Sequence, residues 1–175
     1  VTDLLIRPSR AEDLPAIARI YAHHVLTSLA SFEVEPPDEA ELGRRRDDVL
    51  GRGLPHLVAE RGGRVQGYAY AGPYRARPAY RHTVEDSIYV APDATRGGVG
   101  RALLERLVLL CEEGGFRQMV AVIGDSGNAG SIGLHEAMGF RRVGLLPSIG
   151  FKFGRWVDSV LMQRALGPGD GAPPG

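Results

Sequence analysis

The sequence predicts an α/β (α+β) domain: one mixed sheet with helices on both faces. Three observations point there. The chain has 175 residues, 43% of them hydrophobic and 24% charged, which suits one domain with one substantial core. Apolar spacing switches between a period of two and a period near 3.6 along the chain. The resulting order, β-α-α-β-β-β-α-β-α-β-β, is neither a plain βαβ alternation nor a meander.

The elements follow in order. Residues 3–8, DLLIRP, read as a first strand. S-x-x-E at Ser9 and Glu12 reads as a capping box. It opens a helix in which Ile17, Ile20, Tyr21 and His24 keep helical spacing. A more polar helix starts near Asp38, and its Arg44-Arg45-Arg46 run, balanced by Asp47 and Asp48, reads as a solvated face. HLVAER-GG-RVQGYAYAG is a hairpin signal, and TVEDSIYVAP is the next strand. ATRGGVGRAL, residues 94–103, turns that strand into a helix that Gly114-Gly115 ends. QMVAVIG is nearly all apolar and is expected to be buried on both faces. SGNAGSIGLHEAMGF is a short helix after a turn. RRVGLLPSIGFKFGRWVDSVLMQRAL supplies two last strands around Gly154-Arg155. The single domain is expected over residues 1–166, and the glycine-proline tail, 167–175, is expected to be disordered.

Several function classes are disfavoured. Formal net charge is zero, so no global field draws nucleic acid or anionic lipid. Apolar runs are too short to span a membrane. The start, VTDLLIRPSRAED, lacks the apolar stretch of a signal peptide, so a cytoplasmic protein is expected. Cys111 is the only cysteine, which excludes an intrachain disulfide and a cysteine metal site. It keeps helical spacing with Leu104 and Leu107 and reads as a buried structural thiol. His23, His24 and His82 show no metal-ligand spacing, and no metal is expected. Lys152 is the only lysine, so a P-loop lysine is excluded.

The candidate chemistry gathers around the glycine turn. Free N–H groups at a helix start, glycines at Gly97, Gly98 and Gly100, and charges on Arg96 and Arg101 suit a pyrophosphate. A tight strand-to-helix turn would need glycine anyway. Glu85 is a carboxylate within an otherwise apolar strand. Burial would raise its pKa towards that of a general base, while Arg75, Arg77 or Arg81 could instead pair with it. Asp86 is expected on the opposite face by strand alternation. Arg75, Arg77 and Tyr80 lie in GPYRARPAYRH, a loop suited to grip a carboxylate or simply to sit in solvent.

Val90, Pro92, Arg96, Gly97, Gly98, Val99, Gly100 and Arg101 resemble the acetyl-CoA signature of the Gcn5-related N-acetyltransferases. IYAHHVLTSLASFEVEPP, GYAYAGPYRARPAYRHTVEDSIYV, VAVIG, LHEAMGF and GFKFGRWVDSVLMQ extend the likeness to the phosphinothricin/methionine sulfoximine acetyltransferase group, from about residue 20 to 163. Thr95 departs from the Gln or Arg that often precedes Arg96. The resemblance implies the acyl-CoA N-acyltransferase fold, a mixed, mostly antiparallel sheet splayed to admit acetyl-CoA. It implies direct acetyl transfer to the α-amine of a small amino-acid-like substrate. It implies pairing of the Ile88, Tyr89 and Val90 backbone with the pantetheine arm, the Val90 N–H meeting the thioester oxygen. It assigns Asn128 to the cofactor, Glu85 to the base and His135 to proton transfer. Phe32, Arg75, Arg77 and Tyr80 fall to the substrate. Read from the residues alone, Asn128 could equally cap a helix, His135 could bond backbone, and Phe32 could be a core aromatic. No tyrosine follows Tyr89, so the acid for the thiolate is not identified. The resemblance also implies a homodimer with Lys152–Asp158 at the interface and near the substrate pocket, where an exposed Trp156 would fit the interface. Rival readings are a different acceptor (a polyamine, an aminoglycoside or a protein N-terminus) and a non-catalytic acyl-CoA sensor. Polyamine or aminoglycoside sites would call for acidic clusters, whereas the candidates here are mostly basic.

Overall fold

A computed structural model describes residues 3–174. It contains, in order, β1 (Leu5–Pro8), α1 (Leu14–Thr27), α2 (Glu39–Gly51), β2 (His56–Arg61), β3 (Arg64–Pro73) and β4 (Thr83–Val90). After these come α3 (Val99–Glu113), β5 (Gln118–Gly124), α4 (Ala129–Ala137), β6 (Arg141–Lys152) and β7 (Arg155–Ala165). Among the described residues seven strands form one sheet, ordered β1-β2-β3-β4-β5-β7-β6. All neighbours run antiparallel except β4 and β5, which α3 joins as a crossover. The sheet is therefore mixed and mostly antiparallel.

Helices cover both faces, as the sequence predicts, and side chains show why. A Cβ at Gly67 would stand 2.9 Å from the Tyr89 carbonyl oxygen, 3.1 Å from Val99 and 3.2 Å from Leu103. Glycine there lets α3 lie close on β3, where it buries Leu103, Leu104, Leu107 and Cys111. Burial pushes the Cys111 thiol up to about 12, as befits an inert structural group. On the other face Tyr68 stacks on Tyr89, and Tyr21 of α1 meets Tyr89 edge-on at 4.9 Å.

Local details depart from expectation for identifiable reasons. The cap before α1 is not Ser9 with Glu12. The Asp13 carboxylate accepts the Arg10 N–H at 2.7 Å and is held by Arg7 at 2.8 Å. Ser9 instead accepts from Arg46 through both its hydroxyl and its carbonyl, each at 2.7 Å. The arginine run is thus only partly a solvated face. Arg44 stays outside, Arg45 bridges Glu33 and Glu41, and Arg46 fastens α2 to the end of β1. On β5, Val122 is 41% exposed rather than buried. In the tail, Arg117 donates to the carbonyls of Gly169 and Pro173, each at 2.9 Å. No described helix is long and apolar enough to cross a membrane.

Candidate active site

The reason for the exposed Val122 locates the site. β4 and β5 pair only from Thr83↔Gln118 to Asp86↔Ala121. Beyond that both strands continue, β4 to Val90 and β5 to Gly124, but they part. A cavity of about 1450 Å³ fills the splay. Its walls are the ends of β4 and β5, the 27–33 segment after α1, the glycine turn and the first turns of α4.

Sheet register decides which backbone groups face this space. Ala91 donates its N–H to Gln66 at 2.8 Å, so Ala91, Tyr89 and Ser87 turn their polar groups to β3. Ile88 and Val90 turn theirs into the splay. Of the three predicted backbone contacts, two therefore point into the cavity; Tyr89 also lines it but turns its backbone polar groups to β3. The Val90 carbonyl accepts from His24 Nε2 at 2.8 Å. Because a carbonyl only accepts, His24 carries its proton on Nε2. Burial lowers its pKa, the Val90 bond working against that, so a neutral ring is favoured.

The glycine turn has the backbone an anion needs. Arg96 and Gly98 both sit at positive φ, 65° and 77°. Gly98 is the N-cap of α3, leaving the first-turn N–H groups of Val99, Gly100 and Arg101 without helical acceptors. A Cβ at Gly100 would press on Leu134 at 3.3 Å and Val90 at 3.5 Å. Arg96, Gly98, Val99, Gly100 and Arg101 line the cavity. Gly97 does not; its N–H meets the Ala94 carbonyl at 3.4 Å. Asn128 lines the cavity and also caps α4, its Oδ1 accepting from the Ser131 N–H at 3.1 Å.

Glu85 lines the cavity, half-buried, with no ion pair among the described residues. Burial raises its pKa, the charge of Asp86 adds to this, and Arg75 partly offsets both. Asp86 lies on the other face, as alternation predicts, and bonds His135 Nε2 at 2.9 Å. His135 is buried, and its Nδ1 meets the Ser131 carbonyl at 2.7 Å. Phe32 lines the cavity with its ring against two glycines. A Cβ at Gly150 would stand 2.5 Å from that ring, and one at Gly124 would overlap the Leu29 carbonyl oxygen. Lys152 Nζ donates to the carbonyls of Ser28 and Ser31, at 2.9 and 2.7 Å, and so pins this segment.

Arg75, Arg77 and Tyr80 are not brought to the cavity wall. They lie on the exposed β3–β4 loop, where Arg75 caps the Tyr74 ring at 5.2 Å and Tyr80 meets Tyr74 edge-on. Arg75 still reaches Glu85 electrostatically. Sequence reasoning did not single out His24, Asp86 as a partner of His135, or Arg155, which lines the cavity beside Phe153.

This cavity belongs to a known kind of protein. The model described as "Acetyltransferase (GNAT) family" matches residues 17–140. The chain belongs to the GNAT family. It is 59% identical over 165 residues to the phosphinothricin N-acetyltransferase of Alcaligenes faecalis, covering 94% of this chain and 84% of that one. It is 41% identical over 169 residues to the L-methionine sulfoximine/L-methionine sulfone acetyltransferase of Pseudomonas aeruginosa, covering 96% and 98%. A solved GNAT superfamily phosphinothricin acetyltransferase from Sinorhizobium meliloti, in complex with AcCoA, superposes with a TM-score of 0.95. It shares 47% identity and covers 98% of this chain and 93% of its own. The GNAT fold thus accounts for the open sheet, the one parallel pair and the position of the glycine turn.

Proposed function

We propose that this GNAT chain is an acetyl-CoA-dependent N-acetyltransferase acting on the α-amine of a small amino-acid-like substrate of the phosphinothricin or methionine sulfoximine/sulfone type. The observation that carries this reading is one cavity that joins a helix-start anion cradle to a half-buried carboxylate with no ion-pair partner among the described residues. Names of relatives with high identity over nearly the whole chain support the substrate class.

Acetyl-CoA supplies the acetyl group as a thioester. The first-turn N–H groups of α3, with Arg96 and Arg101, hold its pyrophosphate. Ile88 and Val90 offer outward backbone groups to the pantetheine arm, and the Val90 N–H steadies negative charge growing on the carbonyl oxygen. Glu85 takes the proton that the amine loses as its nitrogen bonds the acetyl carbon and the carbon–sulfur bond breaks. The sulfur leaves as a thiol once protonated. Asn128 adds a cofactor contact, and Phe32 walls the acceptor side. Arg75, Arg77 and Tyr80 act on the substrate carboxylate from the loop beside Glu85. The exposed apolar side chains of β6 and Trp156 support a homodimer.

The test is release of free thiol from acetyl-CoA by wild type and Glu85→Gln. Methionine sulfoximine, methionine sulfone, phosphinothricin, spermidine and an aminoglycoside serve as amines. Saturable turnover on the first three, sharply reduced by the substitution, is expected. Turnover on spermidine or the aminoglycoside alone would overturn the substrate class. Acetyl-CoA binding without turnover on any amine would favour a sensor.

A further inference from the structure

Asp86 is the last residue of β4 that pairs with β5, opposite Ala121. It therefore stands at the apex of the splay. Its carboxylate is almost wholly buried and reaches across to His135 on α4, the helix that follows β5. Two acceptors engage the imidazole. Asp86 Oδ2 lies 2.9 Å from Nε2, and the Ser131 carbonyl lies 2.7 Å from Nδ1. A neutral imidazole has one N–H, and neither a carboxylate nor a carbonyl donates. Both bonds therefore need a second proton in the Asp86–Nε2 contact, on the ring or on the carboxyl, and the raised pKa of His135 favours the ring.

We propose that Asp86 is a positioning residue that holds His135 as an imidazolium, and that the charged pair fastens α4 to β4 at the apex of the cofactor cleft. The role in the cleft rests on the acetyl-CoA reading above; the charge state does not. Ser131 is itself tied to Asn128, whose side chain caps its N–H. The pair thus anchors the turn of α4 that carries Asn128, Gly130 and Leu134 to the cavity wall.

A buried ion pair is a poor fastener on stability grounds alone, because desolvation offsets most of the attraction. Here it also acts through its charge on the reacting carboxylate. Asp86 Oδ1 is buried without a hydrogen-bond partner among the described residues. The charge of Asp86 raises Glu85 next to it, and His135 is what neutralises that charge. The other titratable group facing Asp86 is Cys111 of α3, whose thiol is pushed up to about 12 and stays protonated. Ala121 and Val122 of β5 add no charge.

Two substitutions separate this role from simple packing. In Asp86→Asn the new amide can donate to Nε2 while Nδ1–H still donates to Ser131, so both bonds survive with a neutral ring. In His135→Gln a donor towards Asp86 survives, but the positive charge does not. Nitrogen-15 NMR of the histidine-labelled chain without ligands should show both His135 ring nitrogens protonated at neutral pH. Asp86→Asn should cut its proton affinity roughly tenfold or more. The pH profile of kcat/KM reports Glu85, whose deprotonated form is active. Its acid limb should move little in Asp86→Asn, where the carboxylate charge and the imidazolium charge that balances it are lost together. It should move up in His135→Gln, which leaves that charge uncompensated. A limb that moves in His135→Gln but not in Asp86→Asn is not expected of a packing defect, and the loss of His135 proton affinity in Asp86→Asn tests the charge effect should His135→Gln not fold.

Acetyl-CoA affinity, measured by calorimetry, should weaken about threefold to tenfold in both variants. A singly protonated His135 in the wild type would overturn the proposal. So would unchanged acetyl-CoA affinity with an unmoved acid limb in His135→Gln. A wild type that transfers no acetyl group would overturn the function reading. The NMR and calorimetry would then still decide the state of the pair and its effect on the cleft.

Discussion

Glu85 has the environment of a base at working pH. It is half-buried, its pKa is raised, and it lies beside a backbone that turns two peptide groups into the cleft. Glu85→Gln should lower kcat about 10²- to 10⁴-fold, the usual worth of a general base, with little change in acetyl-CoA affinity measured by calorimetry. Two other residues matter by having no side chain. Phe32 rests on Gly150 and Gly124, and a Cβ at either would displace the wall of the cavity. Gly124→Ala should therefore cost about 1–3 kcal/mol in urea unfolding. It should also raise KM for the amine, because the displaced segment lines the acceptor side. The place of Glu85 at the cavity wall was readable in advance, since a carboxylate in an apolar strand demands an explanation. That of Gly124 was not, because nothing in VAVIG tells which glycine another loop will lean on.

Elements are where sequence reading succeeded most. Each strand and helix follows from its own period and turn residues, so each was visible locally. What escaped were bonds between elements distant in the chain. His24 meets Val90 across 66 positions, and His135 meets Asp86 across 49. Composition is also ambiguous in places: an exposed arginine loop looks the same whether it binds or merely solvates, and Arg75 and Arg77 lie on the loop beside the cavity rather than on its wall. Two predictions belong here. The first concerns α4 and its tie to β4. Burial, the largest single effect, lowers the His135 pKa, but the bond to Asp86, the charge of Asp86 and the Ser131 carbonyl together outweigh it and the net direction is up. A raised pKa stabilises the fold fully below the ordinary histidine value and loses that contribution as pH climbs through the folded value. The melting-temperature gap between wild type and Asp86→Asn should therefore be widest in mild acid and shrink in alkali. The second concerns the segment after α1. Lys152→Met removes two donors from the Ser28 and Ser31 carbonyls. It should speed amide exchange over residues 28–33 while leaving exchange in α3 unchanged.

At the scale of the molecule, the edge of the sheet is unfinished. Val143, Leu145, Ile149 and Phe151 of β6 are all exposed, and Trp156 beside them is 64% exposed. Apolar side chains gathered on an edge strand mark an association surface. Sedimentation should give a dimer, and Ile149→Asp combined with Phe151→Asp should give monomers that still bind acetyl-CoA. The same hairpin carries the only lysine of the chain, and its ammonium is spent inside the fold on two carbonyls. An acetyltransferase lives in constant contact with a reagent that acylates free amines. This one has no side-chain amine on its surface to be modified: its exposed positive charges are guanidinium groups, which thioesters leave alone. The folded enzyme should therefore resist lysine acetylation by its own acetyl donor, and amine-directed cross-linkers or dyes should find no side-chain purchase until it unfolds.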